Sequence, residues 1–173
     1  MRRTTLGYFL SLGFLFSLLA FSAVAASEFG DWNKDHVGSP IDGAPLATLS
    51  GDDIDLGAMG PMVVVHFWAT WCGPCMTELP TLAAQAKAQG MKLVLVSEDK
   101  GHADVVTAFL QHHPMDLGDA VVVLDRRFGL AKALGVATLP TTVVDVKGQE
   151  AMRMVGMGDW QGQDGRTLQT FAR

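Results

Sequence analysis

Only two cysteines occur in the 173 residues, with two residues between them in Trp71-Cys72-Gly73-Pro74-Cys75. Their setting constrains the chain more than any other feature. Before them runs Met62–Trp68, a largely apolar stretch with three consecutive valines, the pattern of a strand buried on both faces. After them a helical pattern runs from about Gly73 to Gln89, with Gly90 as its stop. A loop this short restrains the unfolded chain little. A small domain held by disulfides carries more cysteines, widely spaced. The pair is therefore read as reactive.

Placement at a helix start supplies the chemistry. There the first cysteine meets free backbone N–H groups and the positive end of the helix dipole, which stabilise a thiolate. Pro74 suits the first turn, where its missing N–H costs nothing. Cys72 is thus expected to attack a partner disulfide, and Cys75, facing inward, to resolve the mixed disulfide. The competing reading is half of a zinc site. Such a site needs four ligands, and neither a second CxxC nor a well-spaced His pair is present. No metal and no cofactor are expected.

The first residues read as an export signal. Arg2 and Arg3 precede an uncharged run, Leu6–Leu19, and the small residues Ala23-Val24-Ala25-Ala26 suit cleavage after Ala25 or Ala26. The uncharged stretch 6–26 is also long enough to span a bilayer. Residues 1–26 are therefore a signal peptide or a retained membrane anchor, and both place the domain outside the cytoplasm, in the periplasm or an equivalent compartment. Losing this segment removes two arginines and no acid, taking the net charge from −5 to −7. No basic cluster lies outside the N-terminus, so nucleic acid is not an expected partner.

Residues 27–45, polar and rich in Gly, Pro and Asp, read as a linker or lead-in to a domain over 46–173. Leu46–Leu49 and Ile54–Leu56 flank Ser50-Gly51-Asp52-Asp53 as an N-terminal hairpin. Strands are expected at Lys92–Val96, Val121–Leu124, Thr141–Val146 and Glu150–Val155. Helices are expected at Ala103–His112, Arg126–Leu134 and Trp160–Phe171, the last weakened by Gly162 and Gly165. The order argues for an α/β domain, a mixed sheet with helices on both faces.

Phe67-Trp68-Ala69-Thr70-Trp71-Cys72-Gly73-Pro74-Cys75, followed by Glu78-Leu79-Pro80, resembles the thioredoxin superfamily. More narrowly it resembles the exported TlpA/ResA-type thioredoxin-like reductases. The likeness covers roughly residues 38–172 and includes a central helix–strand insertion, Gly135–Thr142 around Pro140, and the Gly156–Trp160 lead into the last helix. It implies the thioredoxin fold. It also implies a cis proline at Pro140 that exposes Leu139 for pairing with an extended client strand. Trp71, Gly73, Pro74, Leu139 and Pro140 would then contact the client. Glu78, one helical turn after Cys75, matches a glutamate that serves the cysteines; a nearby carboxylate disfavours a thiolate and can relay its proton. An acid in a first helical turn is its plainer reading. His66 departs from the pattern, since thioredoxin has a buried acid there. It is either a proton relay or a neutral buried residue held by a backbone hydrogen bond.

The implied function is reduction of disulfides in client proteins, with apocytochrome c or copper-delivery proteins as clients by family analogy. Electrons would come from a membrane-embedded donor protein, because no flavin or nicotinamide motif is present. A disulfide-forming oxidant or isomerase is the alternative within the same chemistry. A copper-binding chaperone is the alternative outside it, with His112-His113-Pro114-Met115 and Met152, Met154 and Met157 as conceivable ligands. These read more simply as a surface loop and core filler. The Thr/Ser-x-x-Cys pattern of a peroxidase is absent.

Overall fold

The computed structural model describes residues 30–41 and 46–172. The segment read as signal or anchor lies outside them. Among the described residues no helix is long and apolar enough to cross a membrane.

In chain order the elements are β1 (Asp31–Asn33), β2 (Leu46–Thr48), β3 (Asp53–Ile54), β4 (Met62–Trp68), α1 (Gly73–Ala88), β5 (Lys92–Ser97), α2 (Ala103–His112), β6 (Val121–Leu124), α3 (Gly129–Ala133), β7 (Thr141–Val146), β8 (Gln149–Val155) and α4 (Gln163–Gln169). The strands form one sheet in the order β1-β8-β7-β4-β5-β6-β2-β3. β4 lies at its centre, parallel to β5 and antiparallel to β7. The inserted β6 extends the parallel part beside β5, and the β2–β3 hairpin closes that edge.

Strand periodicity divides the core. Val63, Val65 and Phe67 of β4 pack with Leu130, Ala131 and Leu134 on one face. Val64 and Trp68 pack with Leu79, Leu82, Val106, Trp160 and Leu168 on the other. Helices α1, α2 and α4 thus cover one face and α3 the other, as the mixed-sheet expectation requires. His66 shares the phase of Val64 and Trp68, so it points at α1.

Three local expectations are revised. Part of the lead-in, Asp31–Asn33, is a strand, paired antiparallel with Arg153–Val155, and Ile41 is buried in the core. Its polar composition hid it, because an edge strand needs ladder partners more than apolar side chains. α3 begins at Gly129 instead of Arg126, since the Asp125 carboxylate accepts from the Gly129 and Ala131 N–H groups and Phe128 takes a left-handed backbone, φ 54°. α4 begins at Gln163 instead of Trp160. There Asp159 and Asp164 close a turn, the Asp159 N–H donating to Asp164 Oδ2 at 2.7 Å, and a Cβ on Gly165 would lie 2.0 Å from the Trp160 carbonyl oxygen.

Candidate functional site

Cys72 caps α1 in an extended conformation, and its Sγ accepts from the Cys75 N–H at 3.3 Å. Pro74 occupies the first turn. The two cysteines are joined as a disulfide, with Cα atoms 5.3 Å apart, ordinary for such a bond. Both are buried, whereas Gly73 and Pro74 are exposed and Trp71 is 70% exposed. Trp68, on the strand, is fully buried.

Below the disulfide, one turn along α1, lies Glu78, 2% exposed. Its Oε2 accepts from the Gly158 N–H at 2.7 Å and from the Trp160 indole N–H at 2.6 Å. Its Oε1 has no hydrogen-bond partner and lies 3.8 Å from His66 Nε2. Burial pushes the Glu78 carboxyl up to about 7; the two donors oppose the rise and the charge of Asp164 adds to it. Burial holds His66 down to about 3, so its imidazole is neutral at physiological pH. His66 Nδ1 hydrogen-bonds Thr142 Oγ1 at 2.9 Å. The holding group is thus a side-chain hydroxyl, not the backbone group of the plainer sequence reading. The structure brings Cys75, Glu78 and His66 to one face.

Beside the disulfide runs a groove of about 780 Å³, walled by Trp71, Val105, Phe128, Val136 and Leu139, with Glu98 in its lining. The Leu139–Pro140 peptide is cis. Pro140 is buried and its carbonyl accepts from the Gly156 N–H at 2.9 Å, while Leu139 is half-buried at the groove wall. Asp99 fastens the loop that carries Trp71, accepting from the Thr70 N–H at 3.0 Å and the Thr70 hydroxyl at 2.7 Å. Glu98 has both carboxyl oxygens buried without a partner. Burial first, then the charge of Asp125, a proton that the two carboxyls can share once one is protonated, and the charge of Asp99 push it up to about 8.

Sequence reasoning missed Trp160 and Gly158 as donors to Glu78, Thr142 as the anchor of His66, and the acids at the end of β5. Only the last had a visible signal: Ser97-Glu98-Asp99 follows a buried parallel strand, and ligand sites gather outside the carboxyl ends of such strands. The histidines weighed for copper lie elsewhere. His113 stacks on Phe109, centroids 4.3 Å apart, at the end of α2. Met154 is buried core. Among the described residues, no group of three or more His, Cys, Asp or Glu is placed to hold a metal ion.

The model of the AhpC/TSA family matches residues 37–149. Sporulation thiol-disulfide oxidoreductase A of Bacillus subtilis is 29% identical over 117 residues, 64% of this chain and 69% of the relative. Thiol-disulfide oxidoreductase ResA of Halalkalibacterium halodurans is 28% identical over 138 residues, 74% of this chain and 76% of the relative. Among solved structures, the chain is similar to a thiol:disulfide interchange protein of the DsbE type from Chlorobium tepidum. That match has a TM-score of 0.64 and 26% identity, over 79% of this chain and 96% of the other. It is also similar to StoA of Bacillus subtilis, TM-score 0.58 and 25% identity, over 78% of this chain and all of the other (100%). The fold is the thioredoxin fold.

Proposed function

From its membership of the AhpC/TSA family, to which the chain belongs, we propose that this is an exported thiol:disulfide oxidoreductase that reduces disulfides in client proteins. One observation carries the reading: a cysteine pair joined as a disulfide at the head of α1 beside the exposed Trp71. The relatives' names, thiol-disulfide oxidoreductase and thiol:disulfide interchange protein, support the same chemistry. The uncharged stretch 6–26 supports export, with the domain outside the cytoplasm as a cleaved or an anchored protein.

The reaction is two exchanges. The Cys72 thiolate attacks one sulfur of a client disulfide. The client S–S bond breaks, the Cys72–client bond forms, and the departing client sulfur takes a proton. Glu78 then takes the proton of Cys75, whose thiolate attacks Cys72 Sγ and releases the client's second thiol. The client gains two electrons and two protons, and Cys72–Cys75 is oxidised. A carboxyl with a pKa near 7 suits this transfer, since it is available in both forms at working pH. Trp71, Gly73, Pro74 and Leu139 form the client-facing rim, with the buried Pro140 behind Leu139 holding that backbone toward the client, and the neutral His66 borders the proton path. Clients of cytochrome c maturation or copper delivery fit the ResA-type likeness.

The direction is reduction. Cys-Gly-Pro-Cys matches thioredoxin, whose potential is about −270 mV against about −120 mV for the oxidant DsbA. Glu78 in its charged form also disfavours a thiolate, which makes the dithiol a stronger reductant. In an oxidising compartment such a protein needs a donor, and a membrane protein with exchangeable thiols fits. Two measurements test this reading. Equilibration against glutathione at pH 7 should give a potential below about −180 mV, the region of protein disulfide isomerase; a more oxidising value rejects the reductant. A Cys75→Ser variant should trap the client as a mixed disulfide on Cys72.

A further inference from the structure

Glu78 does not position itself. Both groups that hold its Oε2, the Gly158 N–H and the Trp160 indole, come from the turn between β8 and α4. That turn is fastened by Asp164, whose Oδ2 accepts from the Asp159 N–H at 2.7 Å. The other oxygen, Oδ1, accepts from the indole N–H of Trp32 at 2.8 Å. Trp32 lies on β1, 132 positions away along the chain. Its ring also meets Trp160 edge-on, centroids 6.0 Å apart and planes at 86°. Trp160 is almost fully buried and Asp164 largely so. Gly158 leaves no room for slack: a Cβ there would lie 2.5 Å from the Trp160 ring.

We propose that Trp32 and Asp164 are positioning residues for Glu78, so that the edge strand β1 and the head of α4 together set how that carboxyl serves Cys75. The inference rests on the acid–base role of Glu78 given above. Two contacts run to Trp160 and its turn from β1, and one of them ends on a charge. The titratable groups facing Glu78 are His66 from β4, neutral through burial, and Asp164 from α4. The Asp159 carboxylate lies against Gly162, and the cysteines do not titrate while joined. Asp164 is therefore the charge that raises Glu78 from outside its own helix, and the Trp32 donor partly neutralises that charge.

The signs of two substitutions are opposite. Asp164→Asn keeps the shape and removes the charge, so the Glu78 midpoint falls by roughly half a unit to one unit. Trp32→Phe keeps an aromatic ring of smaller size and removes the donor, so Asp164 acts at fuller strength and the midpoint rises by a smaller amount. In the double variant the Trp32 effect vanishes, because it acts through Asp164. The experiment is a carbon-13 NMR titration of glutamate side-chain carboxyls in the oxidised full chain, with Glu78→Gln identifying the resonance. Unchanged midpoints in both single variants overturn the proposal. So does a fall in Trp32→Phe, the sign expected if the ring only excludes water, or a Trp32 effect that persists beside Asn at 164. Failure of the underlying reading is seen separately, as unaltered thiol–disulfide exchange in Glu78→Gln whatever the midpoints do.

Discussion

The two sides of the disulfide each hold a buried glutamate with a raised pKa, yet they are built differently. Below it, Glu78 is gripped at one oxygen by two donors and leaves the other free toward His66. Beside it, Glu98 is gripped by nothing and lines an open apolar groove. Its acidic neighbours are employed: Asp99 ties down Thr70 and Asp125 caps α3. A carboxyl with fixed donors keeps one orientation and one pKa, which suits repeated proton transfer to a fixed sulfur. A carboxyl without donors adds cost to the fold when charged and no positional order. Similar pKa shifts therefore carry different meanings, and the hydrogen bonds separate them.

The widest split should appear in thiol–disulfide exchange. Glu78→Gln should slow reaction with a small dithiol at pH 7 by a factor on the order of 10² and flatten the pH–rate profile. Glu98→Gln should leave that rate within about twofold, since it touches neither cysteine. Stopped-flow tryptophan fluorescence measures both, and equal losses in the two variants would erase the distinction.

Next in size is the effect of the rim. Trp71→Ala should raise KM for a protein disulfide by about tenfold, the loss expected when an exposed aromatic anchor is removed, with kinetics toward a small dithiol unchanged. A matching loss with the small dithiol would mean that Trp71 shapes the disulfide itself and not the client contact.

Smaller effects belong to stability. The folded-state pKa of Glu98, about 8, exceeds its unfolded value. Its stabilising contribution is thus complete below the unfolded value and is lost as pH rises through about 8. Glu98→Gln should raise Tm by a few degrees more at pH 9 than at pH 5, measured by differential scanning calorimetry. A pH-independent difference would mean that Glu98 gains partners on titration. His66 has the opposite sign. Its folded pKa, about 3, lies below the unfolded value, so stability present above about 6.5 is lost as pH falls toward 3. His66→Gln, still able to bond Thr142, should flatten the acid side of the Tm profile. An unchanged acid limb would place the loss on other groups.

Much of this was legible from residues alone because it depends on neighbours in sequence. The valine run of β4, the Cys-Gly-Pro-Cys helix start and Gly90 as a helix stop are local patterns, each with its own steric or electrostatic cause. So was the pairing of Cys72 with Cys75, three positions apart. What only the tertiary structure decided lies between groups far apart in the chain. Glu78 finds its donors 80 and 82 positions away. Trp32 finds Asp164 after 132, and a polar lead-in becomes a strand because β8 offers it a free edge. A carboxyl's chemistry is set by what excludes water from it and what donates to it, and both are properties of the packed sheet and helices, absent from any window of the sequence.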